Sequence, residues 1–280
     1  SSPTGAQGSA VINAPILKHY PIMNMKKTTI ITLSILLAGA SAFAWSKKSE
    51  NLGNLGRTYI SISGAVNVAK YKSAGATGTG ETSSPTGAQG SAVINAPILK
   101  PGINAFRDVK WAGLDGSIFF NYTYTGDIDF NAASGNFSNY NIGGQLTPYL
   151  NFETGLPFLK AVKPFGFGYA GYEWMDYDDD IGGSGNENYF IYGVGAGVEL
   201  VLLDEISITP YWKWNANAQD DMPCYHEAGI EASYWVTDQF CVSVFWTHDF
   251  GWKMGEDSGS RMDKKHGDII GAKFKIGFLR

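Results

Sequence analysis

Histidine stands beside acid in two places. In "QDDMPCYHE", Asp220 and Asp221 precede His226; in "WTHDF", His248 is followed by Asp249. An imidazole held by a carboxylate can polarise a water for hydrolysis, provided both groups face the same site. The local pattern denies that to the second pair. "CVSVFWTHDF" alternates Val242, Val244 and Trp246 with Ser243, Thr247 and Asp249, which is the period of a strand. Neighbours on a strand point to opposite faces, so His248 joins the apolar face and Asp249 the polar one.

Cation binding is a second candidate chemistry. Acid gathers at Asp127 and Asp129, at Asp176 with Asp178, Asp179 and Asp180, at Asp220 and Asp221, and at Glu256 and Asp257. "DYDDDIGGSGNEN" offers the oxygen ligands that Ca²⁺ prefers, without the spacing of an EF-hand loop. A solvated acidic loop explains the same letters, so neither metal nor cofactor is expected. Cys224 and Cys241 are too few for a disulfide scaffold. A strand between them holds their Cα atoms beyond the roughly 7 Å reach of a disulfide, so both are expected as free thiols.

A third set of groups is scattered rather than clustered. Asp115, Glu173, Glu199, Lys213, Glu231, Lys273 and Lys275 each fall on the polar parity of an alternating segment. If those segments close on themselves, the seven charges share an interior, where charges must be paired or solvated. An internal salt-bridge network would plug the interior; an ion-conducting lumen is the alternative.

The elements that carry these groups are strands. Period-two alternation starts at Arg57 and recurs with turn-rich interruptions. "WAGLDGSIFFNYTYTG" sets Leu114, Ile118, Phe120, Tyr122 and Tyr124 against Asp115, Ser117, Asn121 and Thr123. "YGVGAGVELVL", "ISITPYWKWN", "EAGIEASYWV" and "IIGAKFKIGF" behave likewise. In "KPFGFGYAGYEW", placing Glu173 inside turns Tyr172 and Trp174 outward and sends Phe165, Phe167 and Tyr169 into the interior. Aromatics make up 14% and charged residues 17% of the chain, with 35 glycines. That charge content is below the ~25% of ordinary globular domains and suits strands that are apolar on one face.

Nine such strands leave a parity problem, because bacterial outer-membrane barrels have an even strand number, short periplasmic turns and longer outer loops. "SAVINAPILK" at 91–100 supplies the tenth strand. The expected fold is all-β: a transmembrane antiparallel up-and-down barrel of ten strands, with eight as the second choice. Outward aromatics then sort to one level, at Tyr122, Tyr124, Tyr140, Tyr172, Trp174, Tyr192, Trp212, Trp214 and Trp246, as an aromatic girdle at a membrane interface should. Phe152, Phe240 and Phe278 form a thinner ring at the other level.

Upstream, "MKKTTIITLSILLAGASAFA" at 25–44 has the basic start, apolar run and small-x-small end of a secretory signal, with cleavage expected between Ala44 and Trp45. Residues 45–56 then read as a periplasmic segment and 57–280 as the barrel. Residues 1–18, "SSPTGAQGSAVINAPILK", repeat 83–100 letter for letter. Lying ahead of the export signal, residues 1–24 are read as an out-of-place copy plus a short spacer.

"VKPFGFGYAGYEW", "YGVGAGVEL", "ISITPYW" and the terminal "GAKFKIGF" resemble segments of the small bacterial outer-membrane β-barrels, the opacity-protein and OmpA-like "porin family". The resemblance implies a cell outer-membrane location after Sec-type export. It also implies outer-membrane lipid and the barrel-assembly machinery as partners. Gly271, Phe274, Ile276 and Phe278 look like the family's C-terminal assembly signal, with Leu279 and Arg280 added after it. The expected role is structural or surface-interacting, toward an extracellular ligand or host surface, with a plugged lumen and no enzymatic activity. A small non-specific pore is the alternative, and an omptin-like surface hydrolase a second one, although no omptin-like sequence block is present. A net charge of −5 argues against a nucleic-acid partner.

Overall fold

The computed structural model describes residues 53–74, 82–99, 111–130, 133–179, 184–218, 224–254 and 261–278. The export signal at 25–44, its cleavage point at Ala44 and Trp45, and the repeated stretch at 1–18 lie outside the described residues. So do Asp180, Asp220, Asp221, Glu256, Asp257, Leu279 and Arg280.

Ten long strands form the wall: β1 (Thr58–Ala74), β2 (Thr86–Leu99), β3 (Ala112–Tyr124), β4 (Ala133–Leu150), β5 (Leu159–Asp179), β6 (Ser184–Leu202), β7 (Ile206–Asn217), β8 (Tyr225–Trp235), β9 (Phe240–Asp249) and β10 (Arg261–Phe278). Short strands at Thr82–Ser83, Ile128–Phe130, Phe152–Glu153 and Trp252–Met254 pair onto them. Each strand pairs with its sequence neighbour. β1 pairs antiparallel with β10 from Thr58↔Phe278 to Ala74↔Arg261, which closes the sheet. Closure leaves no sheet edge and satisfies the backbone between strands, as a hydrocarbon environment demands.

The outer surface is apolar. Val66, Ile94, Ile118, Leu146, Val194, Val244 and Ile270 are exposed there, on strands whose alternate residues line the lumen. A surface of that kind is at home against lipid. This is a transmembrane β-barrel.

Strand extends beyond the expected bounds in two places. β2 begins at Thr86, with Thr86–Ser91 pairing to Ser63–Val68. The Gly and Pro letters there signal a turn, yet the partner strand continues and takes up the backbone hydrogen bonds. In the acidic run, residues 176–179 and 184–188 belong to two adjacent strands, paired out to Asp178↔Ser184. The proline of β2 sits beside a register shift between Pro97 and Leu99, where a missing N–H costs least.

Candidate functional site in the barrel lumen

The lower lumen, at the end of the two tight turns 203–205 and 236–239, is occupied by the chain itself. Residues 53–57, "GNLGR", turn into the barrel. Residues 45–56 were expected to lie in the periplasm; for Gly53–Gly56 the structure corrects this. The physical reason is a set of backbone N–H groups that cap buried carboxylates. Asn54 N donates to Glu199 Oε1 at 2.5 Å and Leu55 N to Oε2 at 3.1 Å. Gly56 N donates to Asp115 Oδ2 at 2.9 Å, which Asn95 Nδ2 also reaches at 3.2 Å. Gly53 and Gly56 have φ of +84° and +85°, backbone that a side chain resists. A Cβ on Gly53 would lie 2.7 Å from the Glu199 carboxylate.

The Asn54 side chain is the hub of this plug. Its Nδ2 donates to Ser207 Oγ and Ser233 Oγ at 3.0 and 3.1 Å. Its Oδ1 accepts from Lys275 Nζ at 2.8 Å and from Trp235 Nε1 at 3.3 Å. Lys163 Nζ donates to Leu55 O at 3.1 Å and lies 3.8 Å from Glu199. Arg57 stacks over the Trp235 ring at 4.1 Å and donates to Asp238 O. With Asp115 and Glu199 included, six strands and a turn are tied to one short segment.

The seven sequence-chosen charges all face the lumen, but they fall into four sets rather than one network. Asp115 and Glu199 hold the plug. Glu231 lies between Lys273 and Lys275, 2.5 Å from each, and Lys275 joins this pair to Asn54. Higher up, Lys213 pairs with Glu227 at 2.9 Å. Glu173 is met by neutral donors: Tyr189 OH at 2.5 Å, Asn141 Nδ2 at 3.1 Å and Asn139 Nδ2 at 3.3 Å.

Several luminal charges were missed. Lys163 and Glu227 share parity with Phe165 and Glu231, so alternation alone could have placed them. Lys264 could not be found that way. A register shift between Lys70 and Tyr71 turns Lys264 inward against the parity of Lys273, where it pairs with Asp249 at 2.6 Å.

The inward aromatics do not fill the lumen. Phe165, Phe167 and Tyr169 on β5 stand opposite Gly197, Gly195 and Gly193 on β6. Each ring lies across its glycine: a Cβ would approach Phe165 Cζ and Tyr169 Cε1 to 2.5 Å, and would collide with Phe167 Cζ. Phe119 uses Gly143 in the same way, as do Tyr211 with Gly229 and Phe245 with Gly271. Rings folded against the wall leave a cavity of about 560 Å³ above the plug. The luminal side chains thus close the lower lumen and leave open space above it.

Asp249, bonded to Lys264, lies inside, whereas His248 is outside and bonded to Asp268 at 3.0 Å. His226 stacks on Trp212 outside, with ring centroids 5.2 Å apart. No described histidine lines the cavity. The nine girdle residues fall on the outer face at neighbouring registers, with Tyr122↔Tyr140, Tyr140↔Trp174 and Ala170↔Tyr192. Tyr122 and Tyr140 rings lie 4.8 Å apart, Tyr172 and Trp174 5.0 Å, and Tyr192 and Trp214 6.1 Å. Trp212 and Trp246 are exposed, and Tyr124 pairs opposite Ala88. Phe152, Phe240 and Phe278 are exposed at the plugged end. Phe274, Ile276 and Phe278 share the outer face of β10, while Gly271 meets Phe245 inside. Cys224 is an exposed free thiol and Cys241 a buried one.

No protein-family model and no curated protein matches the chain. Solved structures do. The transport unit of the autotransporter AIDA-I from Escherichia coli aligns with TM-score 0.45 and 14% identity, over 93% of this chain and 100% of that one. The outer membrane protease OmpT from Escherichia coli aligns with TM-score 0.39 and 10% identity, over 82% and 99%. Ail, the attachment invasion locus protein of Yersinia pestis, gives TM-score 0.31 and 11% identity, over 79% and 99%. Likenesses this distant transfer neither a role nor a residue.

Proposed function

We propose that the protein is a cell outer-membrane barrel of a Gram-negative-type envelope, a membrane-anchored surface protein whose lumen is closed to through-flow at the periplasmic end. The observation that carries this reading is the Gly53–Arg57 segment, bonded to Asp115, Lys163, Glu199, Ser207, Ser233 and Lys275 across the bore. Buried, mutually paired charges are costly to separate once assembled. They hold the segment in place as a fixed stopper.

The outer aromatics anchor the barrel in outer-membrane lipid at the headgroup level, where amphipathic rings are favoured. Phe274, Ile276 and Phe278 line the outward edge of the strand that closes the barrel and serve as the signal read by the barrel-assembly machinery. The protruding β5–β6 hairpin, with Asp176 and Asp178 exposed, presents acid toward an extracellular ligand or a host surface. His248 and Asp249 supply no hydrolytic pair to this reading, since they lie on opposite sides of the wall.

A small pore is the second reading, favoured by the cavity that reaches down to Asn54. Liposomes carrying the purified protein separate the two. The closed reading predicts that a sugar-sized solute enters no faster than into protein-free liposomes; influx that rises with protein content supports the pore.

A further inference from the structure

We propose that the cavity above the plug is a binding site for a neutral polyhydroxylated ligand, a sugar of one or two rings. Its two sides differ in chemistry. On β5 the faces of Phe165, Phe167 and Tyr169, laid flat over glycines, form a continuous apolar ladder, with the first two centroids 6.2 Å apart and their planes at 30°. The face of an aromatic ring is electron-rich, and the C–H face of a pyranose is its complement. The neighbouring wall, on β1 to β4, adds hydroxyls and amides, such as Ser63 hydrogen-bonded to Ser91 and Asn121 to Asn141, set among Val93, Phe119 and Phe137. Such groups donate to and accept from sugar hydroxyls.

Two buried side chains point specifically to a ligand. Asn67 and Asn215 are 4% and 5% exposed and line the cavity. Asn67 Oδ1 and Asn215 Nδ2 have no hydrogen-bond partner in the protein, an acceptor and a donor left open in a place where unmet polar atoms are expensive. The volume of about 560 Å³ is within the usual range for small-ligand sites.

Charge selects against ions. Lys213 is taken by Glu227 and Lys264 by Asp249, so among the described residues neither upper-lumen lysine is left open to an anion. Glu173 already accepts from Tyr189, Asn139 and Asn141, which takes up most of its acceptor sites and leaves it poorly placed to hold an amine. The site therefore favours a sugar over its charged derivatives.

Titration calorimetry of the purified protein in detergent micelles with maltose, glucosamine and glucuronate tests this. Saturable heat with maltose, weaker with either charged sugar, is the expected result. Phe167→Leu keeps an apolar side chain of similar bulk but loses the ring face. It should weaken maltose binding by roughly tenfold, the upper range for one aromatic contact. Asn67→Leu should weaken it comparably. Retained heat-modifiable migration on gels shows that each variant is folded. No saturable heat with maltose, tighter binding of glucosamine, or unchanged affinity in both variants would overturn the proposal. The plug's fate is read by flux, so failure here is distinct from failure of the closed-barrel reading.

Discussion

The ring of Tyr169 lies across Gly193, its partner on the next strand, so closely that a Cβ there would sit 2.5 Å from Tyr169 Cε1. The same relation repeats at Phe167 over Gly195 and Phe165 over Gly197. Alternate glycines on one strand thus set the direction of aromatic rings on another. A barrel with side chains on both strands would have to aim those rings at its axis.

Gly195→Val tests this directly. The added branches meet the Phe167 ring, so either the ring swings into the lumen or the strands part. Overpacking of this kind costs about 1–3 kcal/mol. The folded-to-unfolded gel shift should move to lower temperature or denaturant. Gly144→Ala serves as the control. A Cβ there has no neighbour nearer than 3.7 Å, and its transition should stay within experimental scatter.

Asn54 is bonded to Ser207, Ser233, Trp235 and Lys275 through one amide. Asn54→Ala removes all four contacts and leaves Lys275 with Glu231 and Ser233. The variant should still insert into membranes and should leak small solutes measurably above wild type. A wild-type flux in Asn54→Ala would mean that the backbone bonds to Glu199 and Asp115 hold the plug unaided.

Among the described residues, Glu231 is the one acid paired with the buried Lys275 and the half-buried Lys273. Removing it strands both, and breaking a buried pair costs about 3–5 kcal/mol. Glu231→Gln should lower the denaturant midpoint strongly, and Lys273→Met in the same chain should recover part of the loss. Equal stability of Glu231→Gln and wild type would mean that water, not Glu231, solvates the lysines.

The thiols give a topological check. A membrane-impermeant maleimide should label the exposed Cys224 on folded protein, and the buried Cys241 only after unfolding. A mass two protons lighter under non-reducing conditions would reveal a bridge and contradict the strand order.

The barrel was legible in the sequence because lipid outside and polar groups inside impose a strict period of two. Tyr122, Trp174 and Trp246 could be set on the outer face from that period alone. Lys264 was not legible, because the shift at Lys70 and Tyr71 reverses parity without any mark in the letters. The plug was hidden for another reason. "GNLGR" has no periodicity, and what it contributes is chiefly backbone N–H to Glu199 and Asp115. The open cavity was hidden as well, since Gly193, Gly195 and Gly197 read merely as small residues on the polar face until the rings opposite them were placed.

The closed lumen is tested most directly by planar-bilayer recording of the purified protein. The wild type should insert without stable unitary conductance steps, while Asn54→Ala should show them. Stable, uniform steps from the wild type would contradict the plug and make the protein a pore.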